Sequence, residues 1–517
     1  METWSIHKQA VSSTGGIVSA QNREAAEAGA RVLAAGGNAI DAAVVTALVL
    51  STVEPWLSGI GGGGFMIHAD PGGKVESLDF NVRASRHLDA ADYPLAGGSD
   101  GDWFQWPAVV EDRNIIGYSS ICIPGTIDGL ATALADRGTL SWAEALAPAI
   151  AFAERGLEID WFSELCLAID AANLARYPVS TELFLDNGRA PKTPALGGER
   201  HRPMRQKAAT LRRLAEAGPR DFYEGETARL LVDDLQAGGS PLAADDLAGY
   251  RSTWGHPAQL DYRGSTVNTM DGLSGGPSLL AALGELETSL DRSGSPAGKA
   301  ALAYASAIRD AYQHRLTTMG HAGRSEDCTT HISVVDREGR MVSLTNTLLS
   351  RFGSKVVLPK TGFLMNNGMM WFDPRPGSPN AIAAGARPLA NMAPVIVTRD
   401  GRPQLAVGAA GGRQIFPTLV QLLSYLIDYG MSLEEAFHQP RLDASTPTIR
   451  VNRTARSDVA AEVAKRFPVE IVDDTLYPVN FAIPSAVSRD WASGINGGMG
   501  HPTSPWAAAV AEETVTP

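Results

Sequence analysis

The sequence predicts an α+β fold in which helices cover layered sheets. Three observations lead there. Short strands of period-2 texture and longer helical stretches are mixed along the chain. Two pairs of strand-like stretches, around residues 330–347 and 394–408, are joined by tight polar turns and read as hairpins. One helical stretch, residues 39–52, is Ala, Val or Leu on nearly every side and belongs in an interior.

Taken in order, residues 15–21 (GGIVSAQ) read as a strand, and Asn22 caps a helix over 23–35 that Gly36-Gly37 stops. Asn38 opens the buried helix 39–52. The run Gly59-Ile60-Gly61-Gly62-Gly63-Gly64 follows, then a strand at 65–69. No Lys-Ser/Thr and no helix follow the glycines, so they read as a tight backbone passage and not as a phosphate loop. A strand at 76–80 leads into Asn81-Val82-Arg83-Ala84. Residues 92–115, rich in Gly, Pro, Asp and Trp, read as an irregular loop. Residues 127–235 are helical in texture, including a capped helix over 141–155 with one proline, and another over 224–236. A strand at 259–262, a helix at 278–286, a polar linker at 288–299 and a helix at 300–315 come next. Residues 319–328 are short, polar and glycine-containing, as a processing loop would be. Beyond the hairpin, residues 362–365 read as a strand and 374–386 as a loop. A hairpin turns at Asp400-Gly401. Gly411-Gly412 open a helix over 414–429 that Gly430 closes, and Ser432 with Glu435 is a capping box.

At 517 residues the chain is long enough for roughly two to four domains. Its net charge of −13 comes from scattered acidic residues, which argues against nucleic acid or an anionic membrane as partner. Cys122, Cys166 and Cys328 are few, odd in number and far apart. They suggest neither a disulfide framework nor a metal site, and they fit a reducing compartment. No cofactor is expected, and no His/Cys/Asp/Glu group has metal-ligand spacing. The opening METWSIHKQAVSSTGG lacks an apolar core, so no secretory signal is expected. The longest apolar run, 42–53, is too short to span a bilayer. A soluble cytoplasmic protein is the expectation.

The stretch that carries chemistry is Asp327-Cys328-Thr329-Thr330-His331-Ile332-Ser333-Val334-Val335-Asp336. A threonine at a strand start has a plain reading as a β-branched residue. Its other reading is a nucleophile. A cut between Cys328 and Thr329 would leave Thr329 with a free α-amine, of pKa about 8, beside its own hydroxyl. That amine can take the hydroxyl proton near neutral pH without a histidine.

DCTTHISVVD, followed by LTNTLL, resembles the maturation site and hairpin of the gamma-glutamyltransferase family, whose members are N-terminal-nucleophile hydrolases. AGARVLAAGGNAIDAA (28–43), EPWLSGIGGGGFM (54–66) and Ile123-Pro124-Gly125-Thr126 resemble its large-subunit landmarks. Asn366-Asn367, Arg387-Pro388-Leu389 and GAAGG (408–412) resemble those of its small subunit. The resemblance implies a four-layer αββα sandwich and self-cleavage into a large subunit, 1–328, and a small one, 329–517, intertwined in one unit. It implies Thr329 as nucleophile and Thr347 as the threonine that hydrogen-bonds it. Gly411 and Gly412 match the family's oxyanion hole. Two side-chain-free backbone N–H groups at a helix start suit that task physically. His331 shares the strand face of residue 329 by alternation, and a structural role is favoured for it.

The substrate pocket departs from the family. Aligned on Asp79-Phe80, the arginine that holds the glutamate α-carboxylate falls on Asn81, with Arg83 two residues later on the same strand face. Arg83 is either the substitute or an ordinary exposed arginine. The family's Asn, Gln, Asp and first Ser fall on Leu349, Gly368, Trp371 and Ala390; its second Ser falls on Asn391. Asp373 is the one nearby acid. A buried ammonium without its carboxylate is costly, so γ-glutamyl compounds should bind poorly. The expected activity is hydrolysis of a small carboxylate-bearing amide, as in the family's oxamate amidohydrolases and cephalosporin or glutaryl acylases. Arg83, Asn81, Asn391 and Asn367 are the candidate substrate contacts. The alternatives are a true gamma-glutamyltransferase acting on glutathione, and a non-processing relative that only binds. A homodimer or (αβ)2 assembly stays open.

Overall fold

The computed structural model describes residues 6–99, 106–321, 330–475, 477 and 480–517. Two seven-stranded antiparallel sheets dominate it. The first runs Ala508–Ala511, Ile17–Ala20, Thr330–Val335, Met341–Thr347, Gly63–Ala69, Val75–Phe80, Thr253–Gly255. The second runs Val11–Ser13, Asn496–Gly500, Ile483–Arg489, Arg402–Ala410, Val395–Arg399, Ser265–Thr269, Ala258–Tyr262.

Side-chain alternation sorts these strands into three cores, and the three cores define four layers. Val18, Met66, Ile332, Val334, Val342 and Leu344 pack with Ala43, Leu48 and Leu50 of the helix Ala39–Val53. Their strand neighbours Ile17, Phe65, Ile67, Val335 and Met341 point the other way, onto Ile396, Ala406 and Val487 of the second sheet. Val395, Val397, Leu405 and Val407 then face the helices Gly276–Ser289, Lys299–Thr318 and Ile415–Ile427. This is the αββα sandwich expected from the resemblance.

The contact between the sheets is stitched by polar groups as well as apolar ones. Ser19 Oγ donates to Met499 O at 2.9 Å, and Ser333 Oγ to Ser485 O at 3.2 Å. Ser343 Oγ donates to Val407 O at 3.1 Å and accepts from Val395 N at 3.0 Å. Serine fits because it is small enough for close sheets and can pair with the facing backbone.

The local rules hold where they are strongest. Asn22 and Asn38 cap their helices, and the second helix, Ala39–Val53, is buried at every position. Ser141–Glu144 and Ser432–Glu435 are capping boxes. The turn at Asp400-Gly401 has φ of 52° and 69°, as a two-residue hairpin requires. Two expectations need correction. Residues 362–365 make no strand: Leu364 and Met365 form only isolated bridges, to Val357 and Gly61, because loops from two regions meet there instead of a ladder. The loop at 92–115 contains a two-stranded ribbon, Leu95–Ser99 with Pro107–Val109, which its Gly/Pro content disguised. Among the described residues no helix is long and apolar enough to cross a membrane.

Candidate active site

Cys328 and Thr329, the expected cleavage pair and nucleophile, lie outside the described residues. The described part of the site begins at Thr330, whose strand Thr330–Val335 pairs with Met341–Thr347 in register Thr330 to Asn346. Thr347 therefore ends the strand beside the one that Thr329 precedes. Its Oγ1 accepts the Leu349 N–H at 2.8 Å. Leu349 has φ 86°, a left-handed conformation that a leucine adopts only when its surroundings hold it.

The glycine run lies flat on this strand. Gly63 and Gly64 pair with Thr347 and Asn346. A Cβ on Gly62 would stand 1.9 Å from Thr347 O, and one on Gly64 2.1 Å from Thr345 O. Any side chain there would push the hairpin aside, so the run is the close backbone passage read from the sequence. Thr126 Oγ1 joins Gly59 O at 3.2 Å to Asn346 Oδ1 at 2.8 Å, which ties the glycine run and the Pro124-Gly125-Thr126 turn to the hairpin.

Gly411 (φ 138°) and Gly412 (φ 55°) form the turn between the strand Arg402–Ala410 and the helix Ile415–Ile427. A Cβ on Gly411 would stand 2.7 Å from Ala482 Cα. Neither Gly411 N–H nor Gly412 N–H donates in a turn, loop or cap hydrogen bond among the described residues. They are two consecutive backbone N–H groups at a helix start, where the local dipole favours negative charge.

His331 is fully buried between the sheets, with Nδ1 3.0 Å from Thr345 Oγ1 and Nε2 2.9 Å from Ser333 Oγ. Burial lowers its pKa to about 3, so it stays neutral and serves as a hydrogen-bonding spacer.

Arg83 is half-buried just after the strand Val75–Phe80 and forms an isolated bridge with Ile123. Its Nε is buried without a hydrogen-bond partner. Burial, and then the Arg387 guanidinium, lower its pKa below the usual arginine value. Arg387 is held by Asp79. A half-buried guanidinium beside a second one, with spare donors, is a place for a carboxylate. Arg387 is a neighbour that the reading of Arg83 alone missed, although the Arg-Pro-Leu motif already marked it.

The asparagines are bonded within the protein. Asn81 Oδ1 accepts Val82 N at 2.9 Å. Asn367 Oδ1 accepts Ser350 N at 3.1 Å, and its Nδ2 donates to Ile115 O at 2.9 Å and Ser350 Oγ at 2.8 Å. Asn391 Oδ1 accepts from the fully buried Arg315 at 2.9 Å. Asp373 is bound by Arg375 at 2.6 Å. Leu349, Trp371 and Ala390 share one apolar cluster with Val82, Cys122 and Met369. Gly368 belongs to the same place: a Cβ on it would stand 2.5 Å from Cys122 Sγ. Among the described residues, His87, Asp245 and Asp246 are the one grouping with metal-ligand proximity, but Asp246 already accepts from Ser85 Oγ at 2.6 Å and Arg86 N at 3.0 Å.

Residues 25–323 and 310–499 match the family profile described as gamma-glutamyltranspeptidase. The chain is 32% identical over 478 residues to the acylase ACY 1 proenzyme of a Pseudomonas species (strain SE83), covering 85% of this chain and 84% of that protein. It is 32% identical over 506 residues to the glutathione hydrolase proenzyme of Pseudomonas aeruginosa, covering 87% of each. The crystal structure of cephalosporin acylase from Bacillus halodurans matches with a TM-score of 0.87 and 25% identity, over 99% of this chain and 98% of that one.

Proposed function

The chain belongs to the gamma-glutamyltranspeptidase family and is a hydrolase of the N-terminal-nucleophile type, and from that premise we propose that it is a self-processing threonine amidohydrolase acting on a small carboxylate-bearing amide. Thr329 Oγ attacks the Cys328 carbonyl, the peptide nitrogen leaves, and water hydrolyses the resulting ester. Thr329 then carries the free α-amine. In turnover that amine takes the Oγ proton as Oγ attacks the substrate carbonyl, and Thr347 holds Oγ by hydrogen bonding. The Gly411 and Gly412 N–H groups receive the oxyanion. The proton passes to the leaving amine, and water releases the acid from the acyl-enzyme.

The observation that carries the substrate class is the apolar cluster of Leu349, Trp371 and Ala390, with Gly368 packed on Cys122. In the family a glutamate headgroup finds partners for its ammonium at the positions of Leu349, Gly368 and Trp371 and one for its carboxylate at that of Ala390, and a buried charge without its partners costs several kcal/mol. Arg83, beside Arg387, supplies the carboxylate anchor. An acyl group with a carboxylate and no ammonium suits both features, as glutaryl or oxalyl groups do.

The test compares kcat/KM on glutaryl-p-nitroanilide, oxamate and γ-glutamyl-p-nitroanilide with cleaved protein. Hydrolysis of a substrate without the α-amine should be faster. Faster γ-glutamyl transfer to a dipeptide than hydrolysis of every small amide would overturn it.

A further inference from the structure

Immediately after Thr347 the chain makes a loop with four residues in the left-handed region: Leu349 (φ 86°), Phe352 (54°), Gly353 (48°) and Lys355 (68°). Each of the three that carries a side chain costs on the order of 1–2 kcal/mol relative to ordinary backbone. Such a loop persists only if its surroundings over-determine it.

Lys355 is 4% exposed, and its ammonium points into the loop. Nζ donates to Ser350 Oγ at 3.2 Å, to Gly353 O at 3.0 Å and to Arg351 O. A carboxylate oxygen of Asp170 lies 3.9 Å away, and Asp170 also accepts Arg351 Nε at 2.6 Å. Carbonyl, hydroxyl and carboxylate oxygens gathered round one positive centre are the donor set that proteins offer to a hard cation.

We infer that the Lys355 ammonium is a built-in cation that shapes the loop after Thr347 and, through it, orients the Thr347 hydroxyl. The connection is short. Ser350 accepts from Lys355, and Ser350 N donates to Asn367 Oδ1 at 3.1 Å. Asn367 N donates to Leu348 O at 3.2 Å. Between these anchors Leu349 is turned so that its N–H meets Thr347 Oγ1 at 2.8 Å. Lys355 acts on Thr347 through Ser350, Asn367 and Leu349, so it is a positioning residue. The inference rests on Thr347 belonging to the catalytic centre.

Lys355→Gly suits the test, because glycine adopts a positive φ freely and the change removes only the side chain. Lys355→Asn, also tolerated there, repeats the measurement if the glycine variant folds poorly. Both are prepared in tetramethylammonium buffers, whose cation is too bulky for the loop. The readouts are the rate of self-cleavage and the kcat and KM for glutaryl-p-nitroanilide. We expect kcat to fall about 10²-fold, the size of effect a displaced catalytic group produces, with little change in KM. Ammonium, methylammonium or K⁺ should then restore the variant in a saturable way and leave the wild type unchanged. Wild-type kcat without such cations, or a loss that none of them restores, would overturn the inference. Thr347→Ala separates the two claims. Unchanged turnover in Thr347→Ala would remove Thr347 from the centre. Lost turnover there, with a fully active Lys355→Gly, would reject Lys355 alone.

Discussion

Gly408 and His331 lie against each other across the two sheets: a Cβ on Gly408 would stand 2.3 Å from His331 Cε1. The imidazole cannot retreat, since Thr345 and Ser333 hold its two nitrogens at 3.0 and 2.9 Å. Gly408→Ala should therefore destabilise the fold by about 1–3 kcal/mol, the usual size of overpacking in a rigid core. Denaturant unfolding of the two proteins measures the difference, and equal midpoints would contradict it.

The same histidine sets a pH dependence. In the folded protein burial lowers its pKa to about 3, whereas an unfolded histidine titrates near about 6.5. Below that value the unfolded chain binds a proton that the folded chain refuses. Stability is therefore lost as pH falls from about 6.5 towards 3, by at most about 1.4 kcal/mol per unit. His331→Gln should flatten the acid side of a Tm–pH curve. Turnover between pH 5 and 9 should carry no His331 titration.

Maturation is read by intact mass. The wild type should give fragments 1–328 and 329–517, and Thr329→Ala a single folded chain. Thr329→Ser keeps a hydroxyl and should cut more slowly. A wild-type chain that stays whole after long incubation would exclude Thr329 as nucleophile.

Gly412 has φ 55°, where a branched residue does not fit. Gly412→Val should turn one N–H away from the reacting carbonyl and cost about 10²–10³ in kcat, the usual effect of losing one oxyanion donor. Circular dichroism should stay unchanged. Full activity in the mature variant would move the oxyanion hole elsewhere.

Arg83→Ala should raise KM for a carboxylate-bearing amide and leave kcat nearly unchanged, because the anchor acts equally on ground and transition states. A drop in kcat at constant KM would place Arg83 at the reacting carbonyl instead.

The layers and the helices were legible in the sequence because they follow local rules. Asn38 with Asp41 announces its helix, Asp400-Gly401 its turn, and the Ile332/Val334 alternation its strand. The motifs were legible too: most of the glycine run and Gly411 sit where close backbone demands glycine, and Gly412 where φ is positive. The loop beyond Thr347 was not. Nothing in the string Leu-Leu-Ser-Arg-Phe-Gly-Ser-Lys signals left-handed leucine, phenylalanine and lysine, since those conformations are imposed by Asn367, Asp170 and Trp56 from distant parts of the chain. Arg387 beside Arg83 and the strandless stretch at 362–365 have the same cause, since each depends on a partner far along the chain.

The order of strands in the first sheet has a consequence for the cut molecule. Thr330–Val335 and Met341–Thr347 are flanked on one side by Ile17–Ala20 and on the other by Gly63–Ala69, both from before residue 328, while Ala508–Ala511 lies outside Ile17–Ala20. A break between 328 and 329 thus leaves each fragment with strands missing from the middle of its share of the first sheet, and neither can complete that sheet alone. Dissociation would break the first sheet open and uncover the core between the two sheets, so the nicked protein should melt in one transition. Recovery after denaturation, however, would change order: first-order for the uncut precursor, second-order in fragment concentration once the bond is gone. The nick would then act as a ratchet, costing the folded molecule little and removing its easiest way back.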